Sequence, residues 1–140
     1  MFSRACEYAI KIMIYIAANE QEGQRTGLKE VTEAIGSPEA FTAKILQQLV
    51  KNDLLQSFRG PHGGFILTDK KEVKLKDIVV AIDGTRLIED CVLGLEECSG
   101  DNPCPIHDKY TRVKNELMGT LLSTGINDKA LLKGRNILRS

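Results

Sequence analysis

Apolar residues recur at helical spacing over residues 3–19, at Ala5, Tyr8, Ala9, Ile12, Met13, Tyr15 and Ile16. The stripe is too wide for a single face, which predicts a helix buried on more than one side. Residues 20–27 are polar, hold two glycines and read as a loop. A short helix follows, with Leu28, Val31 and Ile35 on one face and Gly36 to stop it. Ser37-Pro38-Glu39 marks the next helix start: Ser37 to cap free N–H groups, Pro38 at the first helical position, Glu39 at the positive helix end. That helix runs to about Asn52, with Phe41, Ile45 and Leu49 facing inward. Ala40, Lys44, Gln47, Gln48 and Lys51 lie on the opposite face.

Two short apolar runs, 54–58 and 65–68, flank Arg59-Gly60-Pro61-His62-Gly63-Gly64 and predict a β-hairpin with a loop longer than two residues. Residues 75–83 form another short helix, ended by Gly84, and residues 91–104 an irregular loop. A long helix is expected from near Pro103 to about Ser123. Its stripe, Ile106, Tyr110, Val113, Leu117 and Leu121, has the spacing of a helix that packs along a partner helix. The expected fold is mainly α with a small β-hairpin: a winged helix-turn-helix followed by a long C-terminal dimerisation helix. Residues 1–73 make the winged helix-turn-helix region, and residues 74–140 the irregular loop and the dimerisation helix, within one compact chain.

The order short helix, turn, capped helix, hairpin fits duplex DNA. A recognition helix needs an apolar face to anchor it and a polar face for the major groove. Lys44 and Lys51 suit phosphates, and Gln47 and Gln48 suit base edges or backbone. Ser37 and Ala40 lie at the helix start, where backbone N–H groups face phosphate. Arg59 on a Gly-rich tip suits a narrow minor groove, with His62 beside it. Gly63 and Gly64 permit positive φ and close approach to the sugar-phosphate backbone. A polar helix face alone is most simply a solvated face, and a Gly-rich hairpin alone only a turn. Their adjacency in this order is what points to DNA.

Charge changes the picture in one respect. The 140 residues hold 19 Lys and Arg against 19 Asp and Glu. Residues 1–68 are themselves balanced, so non-specific attraction to phosphate is modest and a dimer on two half-sites is expected. The apolar run 12–18 is too short for a membrane span and lacks the flanks of a signal peptide. The expected location is cytoplasmic, where cysteines stay reduced.

Of four cysteines, Cys91, Cys98 and Cys104 crowd into 14 residues and precede His107, as C-x6-C-x5-C-x2-H. Thiolates with an imidazole suit zinc or an iron–sulfur centre. Structural zinc typically uses a tight C-x2–4-C knuckle, which is missing here, and the wider gaps leave room for a bulkier cluster. Cys6, beside the apolar stripe of the first helix, reads as an inert buried thiol. No nucleophile–base pair with a supporting motif stands out, so an enzyme is not expected.

Together these patterns resemble the Rrf2 family of bacterial transcription regulators over about residues 1–125. Carrying the resemblance are Glu7-Tyr8-Ala9, Leu54-Leu55, Ser57-Phe58-Arg59-Gly60-Pro61-His62-Gly63-Gly64-Phe65, Asp77-Ile78-Val79 and Ala81-Ile82-Asp83-Gly84. The Arg-Gly-Pro-x-Gly-Gly-aromatic wing is the most specific of them. The resemblance implies a dimeric regulator, often a repressor, that senses redox state, iron or cluster status, or nitric oxide. It implies Cys91, Cys98 and Cys104 as cluster ligands. His107 matches the fourth ligand of the [2Fe–2S] branch, while Glu7 falls where a [4Fe–4S] branch takes a carboxylate from the other subunit. His107, and so [2Fe–2S], is favoured. The expected partners are a double-stranded DNA operator, a second copy of the chain and the cluster assembly machinery, with no membrane. The sequence departs from the family pattern in its first cysteine gap of six residues, in His62, and in Ala40 and Ala43, where relatives carry polar base readers.

Overall fold

A computed structural model describes residues 1–128; the end of the 74–140 region, residues 129–140, lies outside the described residues. The chain folds as α1 (Arg4–Gln21), α2 (Leu28–Ile35), α3 (Glu39–Lys51), β1 (Leu55–Phe58), β2 (Gly64–Leu67), α4 (Leu75–Asp83), α5 (Arg86–Glu89) and α6 (His107–Ser123). This is the mainly helical, winged-helix architecture that the pattern predicts.

Helix α1 is the axis of the core. The Ser3 hydroxyl caps it by accepting the Cys6 N–H at 3.0 Å. Ile12, Met13 and Ile14 are consecutive and all buried, so no single face can account for the helix. Around it pack Val31 and Ile35 of α2, Ile45, Leu46 and Leu49 of α3, Leu55 and Leu67 of the hairpin, and Ile78 of α4. Gly36 ends α2 in the left-handed region at φ 71° and returns its N–H to the Thr32 carbonyl.

The start of α3 differs from the capping expected of Ser37. The helix begins at Glu39 with Pro38 in the cap position. Ser37 is buried and hydrogen-bonds Thr42, whose hydroxyl donates to the Pro38 carbonyl at 2.9 Å. That proton is spent on Pro38, so Ser37 is the donor and its hydroxyl is turned inward to staple the first turn.

The hairpin is antiparallel, pairing Leu55 with Leu67 and Phe58 with Gly64. Thr26, in the expected loop, adds itself to the far edge of β2. Its N–H and carbonyl both bond Phe65, at 3.2 and 2.9 Å. A Cβ on Gly64 would sit 2.9 Å from the Thr26 backbone, and Gly64 has φ 134°, so both the space and the conformation there require glycine.

Helix α6 starts at His107 rather than near Pro103. Cys104 precedes Pro105, and a residue before proline is held out of the helical region, which delays the start. Of the predicted stripe only Leu121 is buried, against Cys6 and Val79 in a second small core. Val113 is 54% exposed and Ile106 38%. Past α6 the chain turns back. The Ile126 N–H bonds the Val73 carbonyl and the Leu75 N–H bonds that of Thr124, so Ile126 enters the main core beside α1 and α3.

Candidate metal centre and nucleic-acid interface

The cysteine loop leaves α4 at Gly84, passes through α5 and ends at the first residue of α6. Arg86 and Asp90 close α5 with an ion pair at 3.2 Å, and Lys114 of α6 donates to the Asp90 carbonyl at 2.7 Å. These ties bring the two ends of the loop together. The Sγ atoms of Cys91, Cys98 and Cys104 all lie within 4.8 Å of one another. The Cys91 and Cys104 sulfurs are 3.8 Å apart, and His107 Nδ1 lies 3.2 Å from the Cys98 sulfur.

Backbone N–H groups point at these sulfurs. Leu95 and Leu93 donate to Cys91, the latter at 3.4 Å, and push its thiol down from 9.0 to about 7. At Cys98 the Cys104 N–H acts in the same direction, but burial and the neighbouring sulfurs of Cys91 and Cys104 prevail and the thiol is raised. Three converging thiols, one of them near half ionised at neutral pH, are a donor set for a thiophilic centre. Glu7 is exposed on the first turn of α1 and is not part of this group within the chain. Cys6 is fully buried, as expected of a packing thiol.

The helix-turn-helix presents its polar face outward. Ala40, Lys44, Gln47 and Lys51 are exposed and Gln48 is half-buried. Ser37, buried and bonded inward, offers no side chain there. At the wing, Gly60 (φ 99°) and Gly63 close a turn through the Gly63 N–H to the Gly60 carbonyl, and Arg59 and His62 stand exposed on it. Gly63 does not take positive φ. It is glycine because a Cβ would lie 2.3 Å from the Phe58 carbonyl oxygen, so the close approach is within the wing itself.

One cation at the wing was not predicted. Arg25, beside the Thr26 edge pairing, lays its guanidinium over the Phe58 ring at 3.8 Å and donates to the His62 carbonyl at 3.4 Å. The signal for it was slight: a β-branched residue next to an arginine in a loop bounded by glycines.

A family model described as Rrf2, iron-dependent transcriptional regulator, matches residues 2–130. The chain is 29% identical over 131 residues to an Aquifex aeolicus protein named as an HTH-type transcriptional regulator, covering 91% of this chain and 90% of that one. It is 29% identical over 122 residues to the HTH-type transcriptional regulator IscR of Photorhabdus laumondii, covering 86% and 73%. Its fold is similar to that of CymR (YrzC), the global cysteine regulator of B. subtilis, with a TM-score of 0.77, 24% identity and coverage of 93% and 95%. These relatives are named as regulators and not as enzymes. No helix among the described residues is long and apolar enough to cross a membrane. The chain is a transcriptional regulator of the Rrf2 family.

Proposed function

We propose that this regulator is a cytoplasmic homodimer, acting as a repressor, whose operator affinity follows the occupancy of an iron–sulfur cluster held by Cys91, Cys98, Cys104 and His107. The observation that carries the reading is the convergence of three sulfurs within 4.8 Å, with an imidazole nitrogen 3.2 Å from one of them. The ligand set fits such a group. The thiols sit on a loop free to wrap it, and N–H donors already face the sulfurs, as in cluster sites where they tune potential. When bound, the group supplies a centre sensitive to redox state, iron supply or nitric oxide. His107 as fourth ligand favours [2Fe–2S] over [4Fe–4S]. Maturation by cluster assembly machinery follows from the same reading.

The chain's own residues connect the loop to DNA. Loop order is felt by α6, which begins at a ligand and is tied to Asp90 through Lys114. The exposed Ile106 and Val113 give α6 a face for the same helix of a second copy. A shift of two copies about that seam changes the spacing of two recognition helices, and so operator affinity. Lys44, Gln47, Gln48 and Lys51, with Ala40 at the start of α3, meet the major groove. Arg59, His62 and Gly63 meet the minor groove and backbone.

A second reading has zinc in the same ligands. A tetrahedral centre with bonds of about 2.3 Å has ligand edges of about 3.8 Å, which matches the Cys91–Cys104 separation. Anaerobic purification followed by visible absorption and iron, sulfide and zinc analysis decides between them. The cluster reading expects colour with iron and sulfide in equal amounts. Colourless protein holding one zinc per chain overturns it. His107→Ala should alter the spectrum or lower cluster occupancy, and Glu7→Ala should leave both unchanged. The reverse result moves the fourth ligand to the carboxylate.

A further inference from the structure

We propose that Arg25, which lies outside both the recognition helix and the hairpin, is a second cationic DNA contact of the wing, set in place beside Arg59 by Phe58 and the wing turn. The inference rests on the reading that the wing meets DNA. Thr26 is pinned by three hydrogen bonds to two partners. Its backbone pairs with Phe65 in both directions, and its buried hydroxyl accepts from the Asn19 amide at 3.0 Å. Glu20, on the last turn of α1, accepts the Leu67 N–H at 2.9 Å and holds the same edge. The residue before Thr26 therefore has a fixed origin. Its side chain runs along the hairpin to Phe58, immediately before Arg59, and on to the carbonyl of His62 at the tip.

Stacking consumes one face of the guanidinium, and one N–H is used on His62. The other donors remain on an exposed side chain at the rim of an open groove between Gly23–Arg25 and Pro61–Gly63. A planar cation held by stacking has lost much of its conformational freedom before DNA arrives, so less is lost when it bonds a phosphate. Residues 1–68 carry no net charge, so each cation placed at the wing is a large share of the local attraction. Lysine could not replace it fully, because the ammonium neither stacks flat nor spans ring and carbonyl together.

The test uses full-length protein and a duplex selected from a random-sequence pool by the wild type, with affinity measured against salt concentration. Arg25→Ala should weaken binding about tenfold at moderate salt. It should also reduce the slope of log affinity against log salt by about 0.9 per subunit, one phosphate's worth. Arg25→Lys should restore the slope but only part of the affinity. Thermal melting of all variants should match the wild type. Weaker binding with an unchanged slope means a purely structural role in the wing and overturns the proposal. So does unchanged binding by Arg25→Ala while Arg59→Ala loses affinity. If neither variant affects binding, the wing itself is not at the DNA and the underlying reading fails.

Discussion

Cys6 shows how a residue in a reactive class is made inert. Its thiol is fully buried between α4 and α6, against Val79 and Leu121. Burial, then the negative charge of Asp83 at the end of α4, push it from 9.0 up to about 12. Below pH 9 the thiol is protonated whether the chain is folded or not, and pH has no hold on it. Between 9 and 12 the unfolded chain releases the proton while the folded one keeps it. Folding stability therefore falls as pH rises through that window, by up to about 1.4 kcal/mol per unit from this group. Cys6→Ala should remove this component: denaturant titrations from pH 8 to 10.5 should show its stability deficit against the wild type shrinking. A constant deficit would mean that the thiol ionises freely in the fold. The contrast with Cys91, exposed to donor N–H groups and pushed down to about 7, was legible in outline, since Cys6 stood in a stripe and the others in a loop. The directions of the N–H groups were not, because they depend on loop backbone that no periodicity encodes.

At the scale of elements, α2, α4 and the hairpin follow their sequence signals closely, because a glycine or a turn residue ends each apolar pattern where the chain must bend. Three features did not follow. Helix α5 has four residues, too short for a period to register. The Thr26 pairing is a single residue on a sheet edge, fixed by Asn19 and Phe65 rather than by its neighbours. The stripe on α6 has the spacing of a packed helix, yet within the chain only Leu121 is fully covered, with Leu117 and Tyr110 half-buried. Its remaining apolar face is what the dimer reading needs. Val113→Glu should shift the protein from dimer to monomer in sedimentation at micromolar concentration while leaving its circular dichroism unchanged. A variant that stays dimeric would place the interface elsewhere.

For the whole molecule, the segment that follows α6 is tied back to the core around α1 and α3 by packing and by backbone pairing. Ile126 is fully buried in the core that α1 and α3 share, and Thr124 and Ile126 pair with backbone on either side of Lys74. Ile126→Ala should cost about 2–5 kcal/mol, read as a lowered midpoint of a single thermal transition for the whole molecule. Two separate transitions would show that the regions melt independently. No hydrophobic period announced Ile126: it is a lone apolar residue past a helix end, and only the fold says what it covers.

That return of the chain also orders events during synthesis. Helix α1 is made before the elements that cover it, with apolar residues on more than one side, and those partners emerge one after another. The residue that closes the core is among the last described positions to leave the ribosome. Until it does, the nascent regulator carries an open seam of the kind that invites aggregation. For this regulator, the core that carries the recognition helix is complete only once Ile126 has followed it out.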